Sequence, residues 1–128
     1  MRLVTQVDSA VFAGPVPFAN WVKAQLVIMV AVNRVLIRKR MLKPIYRSGV
    51  RFREEPKGVE TFVDALTCQS RGHGDCAHLA AWRCAELQET GERADLRIKW
   101  NHPVYHVQVR RANRSIEDPS ALLGMRRM

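Results

Sequence analysis

At Gly91 the apolar pattern of this chain changes period, and that change restricts the fold more than any other feature of the sequence. Before it, CAHLAAWRCAELQET, Cys76 to Thr90, reads as a helix with Asp75 at the N-cap and Gly91 as its terminator. After it, Ala94, Leu96, Ile98 and Trp100 alternate with Asp95, Arg97 and Lys99, the signature of a strand with one buried face. His102 and Pro103 break that strand, Val104 to Arg110 forms a second, and Ser115 to Asp118 a third that Pro119 ends. A helix followed by strands joined through short loops predicts an α+β fold with the helix packed on a small antiparallel sheet. Cys76, Ala80, Cys84 and Leu87 share the helical stripe expected to face that sheet.

Upstream, Asn20 is expected to cap a helix from Trp21 to Leu42, stopped by Pro44, after an irregular lead. Trp21, Ala24, Ile28, Ala31, Val32 and Val35 form one stripe, with Lys23, Arg34 and Arg38 around the opposite side. Leu26, Val30 and Ile37 fall near that second side, so the helix is either sandwiched in the core or offers a surface to a partner. Tyr46 to Arg53 reads as extended or turn, and Val59 to Leu66 as a short helix. Gln69 to Asp75 reads as a loop in which Gly72 and Gly74 supply unusual backbone angles.

The 128 residues allow one domain, with residues 1–45 as lead and accessory helix and 46–128 as core. At 47% hydrophobic the chain is no disordered tail. Its net charge of +9 includes a cluster at Arg38, Lys39, Arg40 and Lys43 and a pair at Arg126 and Arg127. Such charge suits nucleic acid, anionic cell-wall polymer or an acidic protein. No aromatic residues interleave the basic cluster, which favours a solvated basic face over nucleic-acid binding. Three cysteines cannot all pair, so reduced thiols are expected. The most apolar run, Leu26 to Val32, is seven residues long, short of the roughly 20 that span a bilayer. No membrane span and no export signal are expected, which suits a cytoplasmic or virion-associated protein.

Chemistry concentrates on three residues. Cys76 opens a helix, where unpaired N–H groups and the macrodipole favour a thiolate and can hold an oxyanion. His106 lies within the second strand and Asp118 at the end of the third. A three-residue loop at Arg111, Ala112 and Asn113, with Asn113 left-handed, pairs Arg110 with Arg114 and sets His106 directly opposite Asp118. A two-residue turn would send the two side chains to opposite faces. Thiol, imidazole and carboxylate together make the cysteine form of the catalytic triad, with His106 as base and Asp118 fixing its tautomer. Cys68, His73, Cys76 and His78 lack the paired spacing of zinc sites, and Cys76 and His78 diverge on a helix, so no metal is expected. Cys68, Cys84 and Trp82 read as packing residues.

The run GHGDCAHLAAWRCAEL, the strand with YHVQV, and IEDPS resemble the core of the transglutaminase-like superfamily, whose fold is similar to papain-like cysteine proteases. YRSGVRF and EDPSALLGM extend the likeness to short proteins of this type encoded by tailed bacteriophages and prophages. The resemblance covers about Tyr46 to Met125 and implies Cys76 as nucleophile, His106 as base and Asp118 as its partner. Gln69 resembles the papain-type oxyanion glutamine in kind, at a different spacing. Val107 and Gln108 stand where larger members carry an aromatic residue, and the chain lacks the length for their calcium-regulated domains. The expected function is thiol-dependent acyl transfer at an amide bond, most simply hydrolysis of a protein or peptide, peptidoglycan peptides included, without cofactor. The alternatives are a non-catalytic virion or interaction module and a basic nucleic-acid-binding protein.

Overall fold

The computed structural model describes residues 3–8, 15–56, 59–101 and 104–125. His102, Pro103, Arg126 and Arg127 lie outside them. The elements run β1 (Val4–Asp8), α1 (Pro15–Arg38), a 3-10 turn (Ile45–Arg47), β2 (Arg51–Phe52), β3 (Val59–Val63), α2 (Ala65–Arg71), β4 (His73–Gly74) and α3 (Cys76–Glu89). Then follow β5 (Asp95–Asn101), β6 (Val104–Arg110), β7 (Ile116–Glu117) and α4 (Pro119–Leu122). The molecule is α+β, as expected, with the long helix α1 packed on α3.

α3 is the helix around which the rest is arranged. Nine of its 14 residues are buried, more than one amphipathic stripe can account for. On one side Ala77, Ala80, Ala81, Cys84 and Leu87 meet α1 through Phe18, Val22, Leu26 and Met29, and β6 through Val107 and Val109. On the other, Leu79 and Trp82 pack with Ile45, Val50, Val63, Ala65, Cys68 and Leu123. Alanine on the first side lets α1 and the sheet approach closely, and Trp82 fills the larger space on the second. Across the end of α3, Arg83 Nε reaches Glu117 Oε2 at 2.6 Å and Arg111 Nη1 reaches Glu117 Oε1 at 2.8 Å. Arg111 also grips Glu92 at 2.6 and 2.7 Å, so a buried-edge ionic network ties β7 to the helix.

The main sheet has strand order β5-β6-β7, antiparallel throughout. Its last register is corrected: Val109 faces Glu117 and Arg110 faces Ile116. The loop comprises Ala112, Asn113 and Arg114, closed by Arg111 N–H to Ser115 O at 2.8 Å, with Arg114 rather than Asn113 left-handed at φ 71°. Asn113 instead uses its side-chain oxygen to accept from Ser115 N–H and Oγ at 3.0 and 2.6 Å. The pairing moves by two residues, so every side chain keeps its face.

Other expectations are overturned as well. α1 begins at Pro15 and ends at Arg38, so Asn20 lies inside it and caps nothing; proline is tolerated in a first turn because those N–H groups lack helical partners anyway. Its buried face is Phe18, Val22, Gln25, Leu26, Met29, Asn33 and Leu36, while Ala24, Ile28 and Ala31 point outward. Two polar residues sit inward because they have partners: Thr5 Oγ1 donates to Gln25 at 2.6 Å and Ala65 N–H to Asn33 at 2.8 Å. By length and composition Val16–Arg38 is also long and apolar enough to cross a membrane, which the seven-residue run concealed.

The lead contains β1, paired antiparallel with β3 from Val4↔Val63 to Asp8↔Val59. Val59–Leu66 is therefore a strand followed by a helix start, divided by buried Asp64, which caps α2 through Thr67 N–H and also accepts Leu3 N–H. Gln69–Arg71 completes α2 rather than a loop, and β4 pairs in parallel with β2. Gly72 is left-handed at φ 84° as the C-cap of α2. Gly74 is required for space instead: a Cβ there would lie 3.1 Å from Cys68 Sγ, 3.1 Å from His78 Cβ and 3.3 Å from Leu79 Cδ2. Gly74→Ala is expected to destabilise the protein by about 1–3 kcal/mol through overpacking, read from urea midpoints, with Ala at an open surface position as control.

Candidate functional site

The N-terminus of α3 is closed by a reciprocal pair. Asp75 Oδ1 accepts His78 N–H at 3.0 Å, and His78 Nδ1 accepts Asp75 N–H at 3.1 Å. Nε2 of the same ring donates to Thr61 O on β3 at 2.7 Å. A lone pair at Nδ1 and a proton at Nε2 assign the neutral tautomer to this fully buried ring. Glu55, Asp75 and His78 converge within 4.8 Å as a metal set would. The positive charge among them is Arg71, whose Nη2 lies 3.1 Å from Glu55 Oε1 and 3.3 Å from His78 Nδ1. Both ring nitrogens are thereby committed, and the geometry is that of a helix cap.

Cys76 opens α3 half-buried, while Cys68 and Cys84 are 0% and 1% exposed. Its Sγ lies 4.0 Å from Tyr105 O, toward which it donates. The closure of the loop by Arg111 N–H shows which β6 residues turn their backbone groups toward β7: the odd ones, down to Tyr105. β7 ends opposite Val109, and the sulfur meets the Tyr105 carbonyl on β6 beyond that end.

Burial and the neighbouring Asp75 carboxylate push the Cys76 thiol up to about 12, Asp118 adding to the effect, against the downward pull of the Val107 and Ala77 N–H groups. This reverses the expectation of an acidified thiol: the capping carboxylate offsets the positive end of the helix. Burial raises Cys68 and Cys84 to about 12 as well, so accessibility, not acidity, singles out Cys76.

His106 and Asp118 do meet. His106 Nε2 lies 2.8 Å from Asp118 Oδ2, which also accepts from Gln108 Nε2 at 3.2 Å, while Oδ1 accepts Ala121 N–H at 3.3 Å as the cap of α4. In the observed register Asp118 continues β7 to a point across from Gln108, and His106 reaches it diagonally along the same face. Burial raises the Asp118 carboxyl, but the hydrogen bonds from His106 and Gln108 outweigh it and hold the group below its ordinary value. Gln108 was not singled out from sequence; its place two residues after His106, on the same strand face, was the available signal.

Among the described residues, His106 Nδ1 has no hydrogen-bond partner, and no hydrogen bond joins it to Cys76 Sγ. The structure thus brings His106 and Asp118 together, while Cys76 meets the Tyr105 carbonyl and packs with the core that α3 shares with β6. Gln69 is placed elsewhere: its amide accepts Lys43 N–H at 2.8 Å and donates to Met41 O at 3.3 Å, bracing the chain after α1. Comparison with protein-family models, curated proteins and solved structures finds no match.

The raised thiols fix the sign of an alkaline effect. Below about pH 9 all three are protonated folded or unfolded; between about 9 and about 12 only the unfolded chain ionises, so stability falls as pH rises. The difference in urea midpoint between the native chain and a Cys68→Ala/Cys76→Ala/Cys84→Ala variant is expected to narrow from pH 8 to pH 11.

Proposed function

We propose that this chain is a thiol acyl-transfer enzyme acting on an amide bond, most simply a cysteine peptidase or amidase, with α3, β6 and β7 forming a transglutaminase-like core. The observation that carries the reading is the 2.8 Å link from His106 Nε2 to Asp118, which leaves Nδ1 as the ring's proton acceptor, with Cys76 Sγ 4.0 Å from the carbonyl of the preceding residue, Tyr105. The resting thiol is protonated, so a base is required. Turning from the Tyr105 carbonyl to Nδ1, the thiol gives its proton to His106 as sulfur bonds to the substrate carbonyl carbon. The oxyanion is held by the Cys76 N–H at the start of α3. The carbon–nitrogen bond breaks as Nδ1–H protonates the leaving amine. Water, deprotonated by His106, then cleaves the thioester, giving a carboxylic acid and restoring the thiol. Asp118, kept ionised by its donors, steadies the imidazolium throughout. The substrate class is protein or peptide, peptidoglycan peptide included, and a virion setting suits the short phage-type resemblance.

A second reading, an interaction module that keeps the fold without catalysis, is favoured by a groove of about 680 Å³ between α1 and β5, with Val27 of α1 71% exposed.

Iodoacetamide labelling at pH 7, followed residue by residue by mass spectrometry, tests the first reading. Cys76 is expected to react at least about tenfold faster than Cys68 and Cys84, with most of that advantage lost in His106→Ala and part of it in Asp118→Asn. An advantage unchanged in His106→Ala would reduce Cys76 to an accessible thiol and leave the module reading.

A further inference from the structure

The face of the sheet that carries His106 has a charge pattern of its own. Alternation along β6 puts Val107 and Val109 against α3 and turns His106, Gln108 and Arg110 to the other side. Cross-strand pairing continues this face onto β5: Lys99 is the partner of His106, Arg97 of Gln108 and Asp95 of Arg110. Residues paired in this way stand about 5 Å apart at their β-carbons, within reach of one another's side chains.

The third pair is neutralised, since Arg110 holds Asp95 at 2.6 and 2.9 Å. Lys99 and Arg97 are exposed and, among the described residues, have no acidic partner. The carboxylate nearest the imidazole, Asp118, is already occupied by His106, Gln108 and the α4 cap. Two uncompensated cations therefore flank the imidazole on its β5 side, next to the residue, Tyr105, whose carbonyl the thiol meets. A substrate carbonyl brought within reach of the imidazole would have these two cations beside it.

Resting on the acyl-transfer reading, we propose that Lys99 and Arg97 form a subsite for a carboxylate, so that the substrate is an acidic peptide or amide with a free carboxylate close to the scissile bond. Lys99 supplies the nearer charge and Arg97 the second, and the pair discriminates between anionic and neutral acyl groups of the same size.

Two reagents that differ in one group test this without a substrate in hand. Iodoacetate and iodoacetamide both lose iodide to a thiolate, but only the first carries a carboxylate. The ratio of their rates at Cys76, iodoacetate over iodoacetamide, is expected to be higher in the folded protein than in the urea-unfolded chain. It should fall about three- to tenfold in Lys99→Gln, further in Arg97→Gln/Lys99→Gln, and also in 1 M NaCl. Iodoacetamide rates should change far less than iodoacetate rates, thermal melting should stay unchanged, and Lys99→Arg should keep the ratio. Rapid, His106-dependent labelling by iodoacetamide with a ratio indifferent to both substitutions would overturn the carboxylate subsite alone. Slow labelling of Cys76 by both reagents would overturn the subsite and the acyl-transfer reading together.

Discussion

A helix with no solvent side must have its first N–H groups satisfied from within the protein, and that requirement governs the whole neighbourhood of α3. Asp75 and His78 meet it reciprocally, and the ring's remaining nitrogen reaches across to Thr61, so one buried imidazole fastens the helix start to β3. Gly74 must then be bare, because the same ring and Cys68 close over it. The position of Cys76 follows: it is the first residue after a cap that cannot shift without exposing buried polar groups.

The sulfur's setting depends equally on how soon β7 stops. Were that strand two residues longer, its backbone would extend along β6 toward the Tyr105 carbonyl that the thiol meets. It stops because Asp118 leaves the ladder to cap α4, and the same carboxylate then receives His106 and Gln108. A single residue thus ends the strand, starts a helix and orients the imidazole. The ionic network of Arg83, Glu117 and Arg111 holds this corner against α3.

Much of the second half was legible because its signals are local. The change of period at Gly91, the Asp75 cap and the alternation along β5 and β6 each involve residues within one element, and their bounds match closely. The meeting of His106 with Asp118 was legible only as parity, since the turn chemistry of Asn113 was assigned to the wrong position in the loop. The first half misled for a different reason. Gln25, Asn33 and Asp64 face inward to satisfy backbone and side-chain groups far away in sequence, and apolar spacing does not record such partners. The thiol's acidity was misjudged because burial of the sulfur, with the neighbouring Asp75 carboxylate, outweighs the pull of the helix end.

The even count that relates β6 to β7 reaches beyond this one chain. Side chains on a pleated ladder alternate, so a hairpin that gains or loses residues by twos in its offset leaves imidazole and carboxylate on a common surface, whereas a change of one divides them. Related sequences that keep the same number of residues between the imidazole and the carboxylate should therefore move their closing pair only by paired steps, or else restore the parity with a bulge.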